Sequence, residues 1–422
     1  MSDAKFYGWR LAAVLFLINL SGSIALLGGN IANTFMVKQT GMSRSLFGAG
    51  FSLLFLLVGI ASPLVAKMGD KKGERFTISF GMAWLWMGTI LMPLVGDLPA
   101  GYIGVYGLVI GTGFAFSNFL PAQTLITHWF ERKRAMVTGL VSSAAGFAGI
   151  VSAPLVNRII QFSGGNWRQP WIFIAFLVGL TTIIGILFIR NTPTEMGQIP
   201  DGDRTKEQPS DRKQKRTKKE VYQTRETWTL KEALYTTAFW IILLAASAEF
   251  MGYYLCLGHG IIHLMDLGVP TASASLSLGI LSFSSIIGRL ISGILGDRIE
   301  PRFVITGGLL LTMLGCLILI HATSPFSIYL YAVLVGQGFG LVNVCLFTLL
   351  GNYFGSEKIR DFLGISALVF TLLGAAAPLA GGISKDYMGS YSAALIGAAG
   401  IAAIGAISLI FAFPPVKSSK SN

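Results

Sequence analysis

The chain has 422 residues, 53% of them hydrophobic and only 12% charged. A soluble globular chain carries about a quarter charged residues, so most of this one never meets water, and a bilayer takes the place of the solvent that a large soluble core would need. The net charge is +12, but the basic residues fall in short loops between apolar runs, which speaks for membrane orientation and against nucleic-acid binding.

A bilayer span needs roughly 20 apolar residues. Runs of that length predict helices over 8–36, 44–67, 76–95, 101–127, 135–157 and 171–190. A second set follows over 237–264, 271–295, 303–321, 325–353, 361–384 and 391–413. The fold class expected is therefore an all-α polytopic membrane protein of twelve transmembrane helices in two pseudo-symmetric six-helix bundles. The bundles are 1–190 and 237–422, joined by a cytoplasmic linker over 191–236. The N-terminal residues lead into an apolar stretch too long for a signal-peptide core, and it reads as a retained first helix.

The linker holds ten Lys/Arg, among them Arg212, Lys213, Lys215, Arg216, Lys218 and Lys219, and fewer acidic residues. It reads as partly ordered, with a short interfacial helix over 229–234. With the N-terminus inside, cytoplasmic segments hold 26 of the Lys/Arg and outer loops hold five: Lys38, Arg44, Arg158, Arg168 and Lys385. That asymmetry places both termini in the cytoplasm of a cell (inner) membrane protein.

The chain repeats itself. Gly111-Thr-Gly113-Phe114 with Asn118 recurs as Gly336-Gln-Gly338-Phe339 with Asn343, 225 residues later. Asp70-Lys71 with Gly73 and Arg75 corresponds to Asp297-Arg298 and Arg302 at an offset of 227. Two similar halves are what transporters use to open a midplane site alternately to each side.

Two charges lie deep in the predicted spans. Arg289 is 18 residues from Thr271, and Glu249 is about 16 residues from the far end of its own helix. Charges at such depth are costly and kept for function. At ~1.5 Å per residue their depths differ by a few ångströms, so the two side chains are expected to meet. An Arg fork matches a carboxylate with two parallel hydrogen bonds. Glu249 can take up a proton, more readily once a substrate carboxylate competes for Arg289. Asn118 and Asn343 could each hydrogen-bond a substrate oxygen, or serve helix–helix bonding. Asn19, Asn30 and Asn33 in the first helix are similar. His259 and His263 could gate or relay protons. Cys256, Cys316 and Cys345 show no pairing or metal spacing and read as buried small residues. No nucleotide-binding loop, metal cluster or nucleophile–base constellation is present, so no enzyme activity, metal or cofactor is expected.

The segment Ala66-Lys-Met-Gly-Asp70-Lys71-Lys72-Gly73-Glu74-Arg75 resembles the signature loop of the major facilitator superfamily, with Ala66 where that family has its leading Gly. The second copy, Gly293-Ile-Leu-Gly-Asp297-Arg298, keeps that Gly and has Glu300 where the later one belongs. The resemblance implies that Asp70, Gly73, Arg75, Asp297 and Arg298 form latches that anchor at the anionic inner leaflet. Within the superfamily the chain is similar to the monocarboxylate transporter and oxalate–formate antiporter group. Tyr7-Gly8-Trp9, Trp129-Phe130 through Arg132-Lys133-Arg134 to Gly139, Gly288-Arg289 and His263-Leu264 carry that likeness.

Members that bind a dicarboxylate carry a second cation in helix eleven, where this chain has none before Lys385. That implies a monoanion. Animal monocarboxylate carriers have a Lys midway along helix one, where this chain has Leu26-Leu27-Gly28. The resemblance and the single deep cation thus imply a secondary transporter of a small monocarboxylate, lactate- or pyruvate-like, and the matched depth of Glu249 adds the expectation of proton symport. Arg289, Asn118 and Asn343 would bind substrate, Glu249 would couple the proton, and His263 would gate. An organic-anion exchanger and a non-transporting membrane sensor are the alternatives. The partners expected are the carboxylate, a proton and the bilayer, with a functional monomer.

Overall fold

The computed structural model describes residues 6–417, apart from 132, 203–221, 225, 297 and 356–358. Among the described residues there is no β-strand. Among these residues eleven helices are long and apolar enough to cross a membrane, or twelve if one bent pair counts as a single span. The chain divides into two compact units, Met1–Gln214 and Lys215–Asn422.

Unit 1 contains α1 (Gly8–Thr40), α2 (Arg44–Ile60), α3 (Ser62–Lys72) and α4 (Glu74–Val95). A composite fourth span follows: α5 (Pro99–Gly101), a wide π-type winding over Tyr102–Ile110, α6 (Gly111–Ser117) and α7 (Phe119–Trp129). It closes with α8 (Arg134–Phe162) and α9 (Arg168–Phe188). Unit 2 contains the short α10 (Leu230–Leu234), then α11 (Thr237–Asp266), α12 (Thr271–Leu295), α13 (Pro301–Leu319), α14 (Pro325–Phe354), α15 (Ile359–Met388) and α16 (Ser392–Ile410).

Two sequence boundaries give way, both at proline. The span expected over 44–67 bends by 46° at the α2–α3 break. Pro63 stands in the first turn of α3, and it lacks the N–H that would continue the ladder. The helix expected over 101–127 breaks at Asn118, whose φ −101° and ψ −119° are non-helical. Pro121 follows three residues on and cannot donate to the carbonyl of Ser117. The eighth predicted helix, 271–295, is found as α12, Thr271–Leu295. The helix expected over 229–234 is found as α10, started by a capping box in which Thr229 and Glu232 satisfy each other's backbone N–H groups.

The internal repeat is a packing scheme. In unit 1, α1 packs on α8 and α9, and α4 packs on α6 and α9, while α2 packs on the π segment. In unit 2, α11 packs on α15 and α16, α13 packs on α14 and α16, and α12 packs on α14. These are the same contacts in the same order. The repeated glycines explain them. A Cβ built on Gly111 would stand 2.9 Å from Leu54 Cα of α2, and one on Gly113 would stand 2.6 Å from Leu85 N of α4. In unit 2, a Cβ on Gly336 would strike Leu281 O of α12, and one on Gly338 would strike Thr312 Oγ1 of α13. In each copy the first glycine admits one neighbour and the second admits another. Small residues at such crossings let helix backbones approach inside a membrane.

Candidate functional site in the second unit

Glu249 and Arg289 lie on α11 and α12 of the same unit but do not meet. Glu249 is fully buried. Its Oε1 accepts a 2.6 Å hydrogen bond from Thr312 Oγ1 on α13, and its Oε2 is buried without a partner. Arg289 makes no ion pair with it. The guanidinium instead lies 5.6 Å from the centroid of the Phe339 ring on α14, and its Nε is buried without a hydrogen-bond acceptor. The expectation that these side chains meet is thus corrected. Depth along a helix follows from counting residues; direction around the helix does not.

Two glycines make the Glu249 seat. Gly338 of α14 and Gly252 of α11 crowd Thr312 from either side; a Cβ on Gly252 would stand 2.7 Å from Thr312 Cγ2. The threonine is thereby held at one position, its hydroxyl on the carboxyl group. Tyr253, four residues along α11 from Glu249, is within electrostatic reach of both Glu249 and Arg289. Its ring stacks on Phe339 with centroids 3.8 Å apart and planes at 12°. Phe250 stacks on Phe370 of α15 at 4.3 Å and meets Phe339 edge to face at 5.2 Å. Arg289 therefore borders an aromatic layer drawn from α11, α14 and α15. That Phe250, Tyr253 and Phe339 stack together is not visible in the sequence. The available signal was Phe339 following the repeated glycines and Phe250 beside Glu249.

The backbone brings Arg289 close to α14. Gly288 and Gly340 face each other: a Cβ on Gly340 would lie 2.7 Å from Arg289 N, and one on Gly288 would lie 3.0 Å from Gly340 Cα. Gly288-Arg289 is therefore a contact pair in which the glycine allows the approach and the arginine reaches past it.

The remaining expected residues are distributed widely. Asn118 is buried at the break in unit 1, donating from Nδ2 to Ser117 Oγ at 2.9 Å while Oδ1 has no partner. Gly22 of α1 lies against it: a Cβ there would be 2.5 Å from Nδ2. Asn343 is half-buried inside the unbroken α14. The two asparagines share a sequence offset but not a backbone setting. Asn19 donates from Nδ2 to Leu15 O at 2.9 Å, within α1. Asn33 accepts from Trp171 Nε1 at 3.0 Å, tying α1 to α9.

His263 is buried, with a ring nitrogen 3.0 Å from Leu319 O and its ring edge-on to Tyr391. His259 sits with Nε2 2.6 Å from Pro378 O of α15. Both join α11 to neighbouring helices. Asp70 is exposed at the end of α3. Gly73 takes φ +84° between α3 and α4, a conformation that favours glycine. Arg75 donates from Nη2 to Ile186 O of α9 at 2.9 Å, and its backbone N–H donates to Asn191 Oδ1 at 2.8 Å. Arg298 is exposed; Asp297 lies outside the described residues. Among the described residues, no group of three or more His, Cys, Asp and Glu could hold a metal ion.

The fold and these sites define a polytopic helical membrane protein with an internal repeat, of the kind that moves small solutes. The chain belongs to the Major Facilitator Superfamily, whose family model matches residues 11–378. It is 24% identical over 347 residues to Monocarboxylate transporter 13 of Bos taurus, covering 80% of this chain and 75% of that protein. It is 25% identical over 348 residues to Monocarboxylate transporter 2 of Homo sapiens, covering 81% and 71%. The uncharacterized transporter YycB of Bacillus subtilis (strain 168) is 25% identical over 392 residues, covering 92% and 89%. Among solved structures, a mutant of the nucleoside transporter NupG aligns with a TM-score of 0.73 at 13% identity, over 96% of this chain and 100% of that one. A bacterial homolog of the human lysosomal transporter Spinster, in its inward-facing unoccupied conformation, aligns at 0.65 and 15%, over 98% and 96%. At these identities the structural likeness speaks for the fold.

Proposed function

We propose that this protein is a secondary active transporter of a small monocarboxylate, lactate- or pyruvate-like, working by alternating access in a cell (inner) membrane with both termini cytoplasmic. The observation that carries this reading is Arg289. It is a guanidinium within a membrane-spanning helix, it has no carboxylate partner among the described residues, and its Nε is enclosed without an acceptor. A buried cation without a counter-charge is expensive, and a carboxylate ligand offsets that cost with paired hydrogen bonds. The relatives named as monocarboxylate transporters support the same substrate class. Asn118 and Asn343 are the proposed neutral contacts. The latch role of Asp70, Gly73, Arg75, Asp297 and Arg298, and a gating role for His263, belong to the same proposal, as does function as a monomer.

Proton symport is assigned to Glu249. It is a buried carboxyl with one donor, Thr312, and one bare oxygen, a setting in which a proton can be taken up and given back. Because Glu249 does not touch Arg289, coupling would pass through the intervening Tyr253, not through direct exchange of ion-pair partners. The same separation favours a second reading, an organic-anion exchanger in which Arg289 works alone. Uptake of radiolabelled acid by proteoliposomes separates the two. Symport predicts net accumulation driven by an inward proton gradient and lost in Glu249→Gln. Gradient-independent counterflow that survives Glu249→Gln selects the exchanger. No uptake or counterflow of any short acid would overturn both.

A further inference from the structure

We infer that Cys256 and Cys316 form a dithiol binding site for trivalent arsenic, set in the α11–α13 seam beside Glu249. In the sequence the three cysteines look alike, as buried small residues. The structure separates one pair from the third. Cys256 Sγ and Cys316 Sγ are 3.8 Å apart and share an S–H···S hydrogen bond. Both thiols are free and buried. The separation is well beyond the roughly 2.05 Å of a disulfide. Cys345 is elsewhere, on α14, with its Sγ 3.0 Å from Ser292 Oγ of α12.

The pair is part of a continuous ladder. Glu249 meets Thr312, Gly252 faces both Thr312 and Cys316, and Cys256 meets Cys316. Cys256 lies about two turns beyond Glu249 along α11, and Cys316 about one turn beyond Thr312 along α13. The helices are held close here because Gly252 presents no side chain: a Cβ on it would stand 2.7 Å from Thr312 Cγ2, one turn before Cys316 on α13. The two sulfurs are thus fixed as neighbours by the same packing that seats the carboxyl group.

Two neutral thiols at a fixed short separation chelate trivalent arsenic. With phenylarsine oxide, both S–H bonds break and two S–As bonds form. The two protons leave with the arsenic's oxygen as one water, and no oxidation state changes. A small χ1 rotation brings the sulfurs within the bite of one arsenic atom. A single thiol gives only a monodentate adduct that exchanges readily. The reagent is uncharged and lipid-soluble, as a site inside membrane-spanning helices requires. The bridge would cross-link α11 to α13 next to the Glu249–Thr312 bond, in the manner of a designed covalent staple.

The test uses the full chain in lipid nanodiscs, treated with phenylarsine oxide and measured by intact mass. The expected result is one arsenical per chain, with one water lost, removed by dimercaptopropanol. After denaturation, Cys256 and Cys316 should be protected from alkylation and Cys345 should be open. The adduct should be absent from Cys256→Ser, Cys256→Ala and Cys316→Ser and retained in Cys345→Ser. Failure of the wild-type protein to take up the arsenical overturns the proposal, since that result involves no variant. A stable adduct in both Cys256 variants overturns it as well. The outcome is independent of which anion the protein carries.

Discussion

In unit 1 the fourth span is wound wide over Tyr102–Ile110 and broken at Asn118; in unit 2 its counterpart α14 runs unbroken for 30 residues. The same pair of glycines packs each of them against its neighbours, so the repeat keeps the backbone approach while the side-chain chemistry diverges. Unit 1 carries its deep polarity as neutral groups: Asn33 on Trp171, Asn118 on Ser117, Thr181 on Ser21. Unit 2 carries two buried ionisable groups of opposite kind, the Glu249 carboxyl and the Arg289 guanidinium. Neutral hydrogen bonds inside membranes contribute around half a kcal/mol each, whereas a deep charge costs several. A duplicated scaffold has thus placed its costly groups in one copy, and that asymmetry points to unit 2 as the carrier of the ionic chemistry.

The sharpest test of this comparison sets Arg289→Gln against Asn118→Ala. Loss of a charged, paired hydrogen bond is worth about 3 kcal/mol, or about a hundredfold, so initial uptake into proteoliposomes should fall by that order in Arg289→Gln. Asn118→Ala should lower it only about threefold. Equal losses would erase the distinction between the units.

Next, Gly113→Val and Gly338→Val probe what the units share. Each forces a side chain into a helix–helix contact, at a cost of about 1–3 kcal/mol or more. Melting temperatures in detergent should drop comparably in both. A drop in only one would mean that the repeat is not a common packing device.

Thr312→Val is expected to be milder and specific to unit 2. It removes the one hydrogen-bond donor that Glu249 has among the described residues, at about 1–3 kcal/mol, and should displace the pH dependence of uptake. Thr312→Ser keeps the hydroxyl and should restore the wild-type profile. If both variants leave the profile unchanged, Thr312 does not position Glu249 for proton transfer.

The smallest effect lies outside the membrane. The backbone N–H of Thr229, then its side chain, then Lys417 hold the Glu232 carboxyl below the usual carboxylate range. A depressed folded-state value means that this contribution is present above the ordinary carboxylate range and is lost as pH falls through the lowered value. Acidification should therefore lower the protection of the α10 amides relative to their intrinsic exchange rate at each pH, and Glu232→Gln should abolish that pH-dependent loss of protection.

Much of the fold was legible because apolar runs of bilayer length leave a helix little alternative. Thr271–Leu295 was found at both ends, since Pro270 precedes it and Gly296 follows it. The bend at Ala61 and the break at Asn118 were missed, although Pro63 and Pro121 stood in the sequence as signals. Whether an intramembrane proline bends, breaks or merely interrupts a helix depends on its neighbours; Pro93, Pro154 and Pro378 sit inside helices that continue. The candidate site was half legible: Arg289 and Glu249 stood out as deep ionisable groups, while the stacking of Phe250, Tyr253, Phe339 and Phe370 into one layer depends on how α11, α14 and α15 pack.

Composition, run length and the repeat by themselves determined that this is a two-unit helical membrane protein, the Ala66–Arg75 segment carried its likeness to the Major Facilitator Superfamily, and residue counting determined how deep each ionisable group lies. Only the tertiary structure decided which way each charge faces. Glu249 turns to Thr312 because Gly252 and Gly338 let α13 come close, and Arg289 reaches Phe339 because Gly288 and Gly340 let α12 meet α14. Rise along a helix is a property of the chain. Azimuth acquires a partner only when another helix packs against it.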